Sequence, residues 1–81
     1  MTTTFSGNLL RDAATQRAYL QLADGTLLLL TTNLDCSEWS IRAAFNGLAG
    51  REGFVSLNGT LVTCGVGQAL ALAGDDPTKP H

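Results

Sequence analysis

Two hexapeptides near opposite ends of the chain share one pattern. Phe5-Ser6-Gly7-Asn8-Leu9-Leu10 and Leu57-Asn58-Gly59-Thr60-Leu61-Val62 both run apolar, polar, Gly, polar, Leu, apolar. Alternation of this kind has the period of a half-buried strand. A glycine in mid-strand marks a bulge or bend, because without a Cβ the neighbouring backbone can come close. Two such strands suit a small coiled barrel, whose strands must turn corners to serve two sheet faces. Asn58-Gly59 also has the composition of a tight turn between two short strands, but the echo around Gly7 favours a bend in each of two long ones.

The remaining segments fill in an order of elements. Arg11 to Gln16 is polar and reads as a turn, and Arg17 to Ala23 alternates again as a strand. Asp24-Gly25 then carries the signature of a two-residue hairpin, with Thr26 to Thr32 as the returning strand. A competing reading makes Asp12 to Asp24 a helix, since it is rich in Ala, Gln, Leu and Arg, with Asp12 as N-cap and Gly25 as terminator. That would give an α+β fold with an additional helix at 12–24; the strand reading is preferred. Asp35 followed by Glu38 resembles a capping box and predicts a helix from Cys36 to Asn46, closed by Gly47 in the left-handed conformation. Its apolar side would carry Ile41, Ala44, Phe45 and Leu48. Gly53 to Thr63 and Gln68 to Ala73 complete the set as strands.

The fold class is therefore mainly β with one helix, in the order β-β-β-α-β-β. That order, the two Gly-centred segments and the Ala49-Gly50 run before the fourth strand resemble the OB-fold, the five-stranded oligonucleotide- and oligosaccharide-binding barrel. The resemblance spans residues 4 to 73 and is to a fold, which hosts many activities. With 81 residues, one domain is expected over 1–74, followed by a frayed tail over 75–81 that is polar and proline-containing.

Catalytic chemistry finds little to work with. Up to Gly74 there is no histidine and no lysine, and the carboxylates are Asp12, Asp24, Asp35, Glu38 and Glu52. A nucleophilic triad would have to borrow His81 from the tail, and Cys36, Cys64 and His81 make no metal-ligand spacing. No catalytic residue, cofactor or metal is expected. Cys36 near a helix start would have a lowered thiol pKa, although a small half-buried residue is the simpler account. Gly47-Leu48-Ala49-Gly50 has the spacing of an RNA-clamping loop but lies where a helix C-cap is expected, and Gly65-Val66-Gly67 reads as a turn.

Charge narrows the partner. Only 15% of residues are charged and the net charge is −2, below the roughly 25% of ordinary domains and of the wrong sign for phosphate chains. Nucleic acid is thus an unlikely partner, and Arg11 and Arg17 with Tyr19 form the alternative site for it. A two-residue turn at Asp24-Gly25 would face Leu22 with Leu27 and Leu20 with Leu29 in the barrel, leaving Tyr19, Gln21, Leu28 and Leu30 outside. These four are the candidate partner-binding residues of a non-enzymatic protein-binding module. The expected partner is a second copy in a homodimer, or a larger protein on which the chain docks as adaptor or inhibitor. The N-terminus lacks secretory character and no apolar run approaches the ~20 residues that span a bilayer. The expectation is a cytoplasmic protein without a membrane segment, its two cysteines free.

Overall fold

A computed structural model describes residues 3–65 and 67–73; the expected tail at 75–81 lies outside the described residues. The elements are β1 (Thr3–Asp12), β2 (Arg17–Gln21), β3 (Leu27–Thr31), α1 (Glu38–Gly47), β4 (Gly53–Cys64) and β5 (Gly67–Leu72). The strands close into a barrel in the order β1-β2-β3-β5-β4, with the helix between β3 and β4, which is an OB-like architecture. All neighbours are antiparallel except β3 and β5, which run parallel through Leu29↔Ala69, Leu30↔Leu70 and Thr31↔Ala71. Residues 13–16 form a turn and 17–21 a strand, so the helical alternative for 12–24 is not adopted.

The two glycines sit where strands change partners. β4 pairs with β1 from Gly53 to Gly59 and with β5 from Gly59 to Cys64, so that Gly59 faces both Thr3 and Leu72. β1 likewise passes from β4 to β2 around Asn8 and Leu9. At both corners backbone crosses the space a side chain would fill. A Cβ on Gly59 would lie 2.5 Å from the Ala71 carbonyl oxygen, and one on Gly7 would collide with the carbonyl of Gln21. Asn58-Gly59 is therefore a bend in one continuous strand.

Inside the barrel, Leu9, Leu20, Leu28, Leu30, Val55, Leu57, Leu70 and Leu72 meet Ala44, Phe45 and Leu48 from the helix. The helix begins two residues later than its sequence suggests. Ser37 is the N-cap, its hydroxyl accepting from the Ser40 amide at 3.2 Å. Asp35 instead accepts from the Ser37 amide at 3.0 Å, a local turn ahead of the cap. At the other end Gly47 is still helical and Leu48 caps, because burying Leu48 in the core continues the apolar side past the glycine.

The β2–β3 hairpin differs from expectation by one residue. The observed pairs are Tyr19↔Leu29, Leu20↔Leu28 and Gln21↔Leu27. The loop is not two residues long. Gly25 donates to the Leu22 carbonyl at 2.9 Å and Leu22 to the Thr26 carbonyl at 2.8 Å, enclosing Ala23, Asp24 and Gly25, with Gly25 at φ +91°. This is the three-residue hairpin with a left-handed closing glycine. Because side chains alternate, a slip of one turns every residue of the strand to the other face. Leu28 and Leu30, expected outside, are 1% and 0% exposed; Leu27 and Leu29, expected inside, point out.

A second correction concerns the cysteines. Cys36 and Cys64 are joined in a disulfide with Cα atoms 6.2 Å apart, closing 28 residues of chain. A loop of this length removes about 3–4 kcal/mol of chain entropy from the unfolded state. The free-thiol expectation rested on compartment alone and carried no information on the distance between the two sites.

Gly59→Ala should lower stability by about 1–3 kcal/mol through overpacking, read as a reduced urea midpoint; an unchanged midpoint would mean the crossing backbone has room to yield. Asp24 accepts the Thr26 amide at 2.9 Å, and this bond, ahead of the Thr26 side chain, draws its pKa below the ordinary 3.8. A lowered carboxylate pKa contributes stability above its unfolded value and loses it as pH falls through the folded one. The Asp24 carboxyl should therefore titrate by NMR below 3.8, and Thr26→Pro, which deletes the donor, should raise it.

Candidate binding face

Outside the barrel the register assembles two rows of side chains. Phe54 faces Asn8, Asn8 faces Gln21 and Gln21 faces Leu27, so these four form one line across β4, β1, β2 and β3. Beside it Leu10 faces Tyr19, Tyr19 faces Leu29, and Leu29 continues through Ala69 to Val62. Phe54 is 72% exposed, Leu27 48% and Leu10 41%.

Charge is absent from these rows. In the five strands the only charged residues are Arg11, Asp12 and Arg17, all where β1 ends and β2 begins. The polar part of the face is made of hydroxyls and amides. Ser6 and Ser56 bond across the β1–β4 ladder at 2.7 Å, and the Thr4 hydroxyl donates to the Asn58 side-chain oxygen.

Part of the second row is covered. Leu29 and Ala69 are buried beneath Ile41 of the helix, with Tyr19, Cys36, Val62 and Cys64 packed around them. The cover is Ile41 of α1, with Cys36 beside it held to Cys64 by the disulfide. The open part of the face is therefore Leu10, Tyr19, Gln21, Leu27, Asn8 and Phe54.

Of the four residues singled out by sequence, Tyr19 and Gln21 lie on this face, both half-buried, whereas Leu28 and Leu30 are core. Leu10, Leu27 and Phe54 were missed. Phe54 had a visible signal, since it shares strand parity with the polar Ser56 and Asn58 and not with Val55 and Leu57.

The alternative trio is not brought together. Arg11 turns toward the helix, donating from Nε and Nη2 to the Phe45 carbonyl at 3.2 and 2.9 Å, with its guanidinium 4.0 Å from the centre of the Phe45 ring. Arg17 stands on the opposite side of the strand pair, beside the disulfide, in a cavity of about 390 Å³. The last turn of α1 contains no basic residue, and Arg11 supplies the cation that a helix C-terminus favours.

Comparisons with protein-family models, with curated proteins and with solved structures find no match to this chain. Among the described residues no group of three or more metal-ligating side chains comes together, and no helix is long and apolar enough to cross a membrane.

Arg11→Ala should cost about 1–2 kcal/mol, the worth of a charged hydrogen bond with a ring contact. Arg11→Lys should recover only part of it, since a point charge lacks the flat fork. Equal stability of the three proteins in urea would remove Arg11 as a clamp on the helix.

Proposed function

We propose that the chain is a non-enzymatic protein-binding module that docks through the outer face of β1, β2 and β3 together with Phe54 of β4. The observation that carries this reading is the uncharged row Phe54, Asn8, Gln21, Leu27 with Leu10 and Tyr19 beside it. Interface cores are depleted in charge and enriched in aromatic residues, and a contiguous apolar patch on a small soluble domain marks an interaction site more often than scattered surface leucines do. A second copy is the simplest partner, because a two-fold interface needs one self-complementary patch. An adaptor or inhibitor docking on a larger protein would use the same residues.

Binding of a neutral oligosaccharide is the second reading, favoured by the hydroxyls and amides of Thr4, Ser6, Asn8, Ser56 and Asn58 on the rungs of the β1–β4 ladder that lead to the exposed Phe54 ring. Single-stranded nucleic acid has less support, since the face offers no cation to a phosphate chain. As to location, a cytoplasmic home was the expectation. The paired cysteines favour an oxidising compartment, because cytosolic reductants keep thiols apart.

Leu27→Glu and Phe54→Glu test the reading. Each should leave the circular dichroism spectrum unchanged and shift the wild-type dimer to monomer in sedimentation velocity. A wild-type chain that sediments as monomer at high concentration removes the self-association version. Leu28→Glu serves as the contrast: it buries an unpaired carboxylate and should unfold the barrel.

A further inference from the structure

We propose that the Cys36–Cys64 disulfide is a redox-controlled clamp, whose reduction releases residues 33–37 from the end of β4 and uncovers the part of the Leu29, Ala69 and Val62 surface that Cys36 covers beside Ile41.

The segment has little else to hold it. Hydrogen bonds made by residues 33–37 stay within the neighbourhood of the segment itself: Cys36 donates to the Asn33 carbonyl at 3.3 Å, Leu34 to the Asn33 side chain at 2.9 Å and Ser37 to Asp35 at 3.0 Å. The Asn33 carbonyl accepts from the Thr31 hydroxyl at 3.2 Å, and Ser37 meets Ser40 at 3.0 Å. Among these bonds none reaches β4 or β5. The covalent link to Cys64, at the far end of β4, is the long-range tie. Cys36 also holds φ +53°, a left-handed backbone that a residue with a Cβ adopts at a cost. Releasing the tie frees that residue to relax.

What the clamp covers is apolar. Leu29 and Ala69 are buried under Ile41 and Cys36, with Val62 alongside, and they continue the row that begins at Leu10 and Tyr19. The barrel does not depend on the clamp for its topology, since β1 to β5 close through their own ladders around a core that contains neither cysteine.

The bond is also reachable. Cys36 and Cys64 line an open cavity of about 390 Å³ with Arg17, Asp35 and Glu38. A dithiol reductant attacks one sulfur as thiolate and breaks the S–S bond, giving a mixed disulfide and one cysteine thiolate. Its second thiol then displaces the other cysteine. The reductant is oxidised to its disulfide by two electrons, and the two cysteines take up two protons as thiols.

Hydrogen exchange on the oxidised and the dithiothreitol-reduced chain tests the clamp, with Cys36→Ser/Cys64→Ser as a variant that cannot close it. Reduction should raise exchange over 33–37 at least tenfold more than it raises exchange in the core strands, where the rise reports only the lost loop entropy, and should increase the fluorescence of an apolar dye while the barrel stays folded. The double variant should resemble the reduced protein and should not respond to dithiothreitol. Unchanged exchange over 33–37 would overturn the proposal, because packing alone would then hold the segment. A rise that is uniform, no larger over 33–37 than in the core strands, would overturn it as well, because the disulfide would then be only a staple of the whole fold. Neither readout requires a binding partner.

Discussion

Closure of the barrel depends on backbone passing where a side chain would normally stand. β4 serves two neighbours in succession, and the change happens at Gly59, which is paired to Thr3 on one side and Leu72 on the other. Any Cβ there would press on the Ala71 carbonyl and the Leu70 side chain. Gly7 does the same for β1 against Gln21. With those corners open, twelve residues of β4 can curve through both halves of the sheet, and the leucines of four other strands come into reach of one another. A chain this small buries a modest share of its surface, so a closed barrel with no free sheet edge is an efficient use of its apolar residues.

Those corners were legible from sequence because glycine has a local signature. Repetition of one pattern at Gly7 and Gly59 identifies both bends, while alternation gives the strands and the Asp35–Glu38 spacing gives the helix to within two residues, and together these imply the barrel. What could not be read was the length of the turn between β2 and β3. Asp24-Gly25 satisfies a two-residue turn and the last two positions of a three-residue turn equally well, and the choice belongs to the barrel. In a run of four leucines either parity gives an apolar inner face, so the hydrophobic pattern that ordinarily fixes register was silent at that strand. Tyr19 and Gln21 kept their predicted side because they belong to β2, whose alternation with Ala18 and Leu20 is unambiguous; Leu28 and Leu30 lost theirs because β3 has no alternation at all.

The disulfide was hidden for a related reason. Cys36 and Cys64 are separated by 28 residues, and their proximity arises only after β4 has bent past Gly59 and carried its end to the start of the helix. The helix start is set locally instead: Ser37 offers a hydroxyl to the Ser40 amide, and once it does so Asp35 is left two residues too early to cap. The first outcome is tertiary and the second is a competition between two short polar side chains, and a linear pattern ranks neither.

An uncharged outer surface is not something the barrel itself requires. Strands exposed on one side are stable with polar or charged residues outward, and antiparallel sheets commonly alternate in that way. Here the charges of the described residues lie in the turns, the helix and the β1–β2 end, while the rows through Phe54, Asn8, Gln21 and Leu27 and through Leu10 and Tyr19 carry none. Single surface leucines are ordinary, but a line that crosses four strands with an aromatic ring at one end and a leucine at the other is contiguous by construction of the register. Such a face gains free energy only when water leaves it, and the fold covers one part of it, at Leu29 and Ala69, with Ile41 of the helix and with Cys36 under its covalent tie. The part left open is the face through which we propose that the chain docks, and under the proposed clamp its extent would depend on whether that tie is closed.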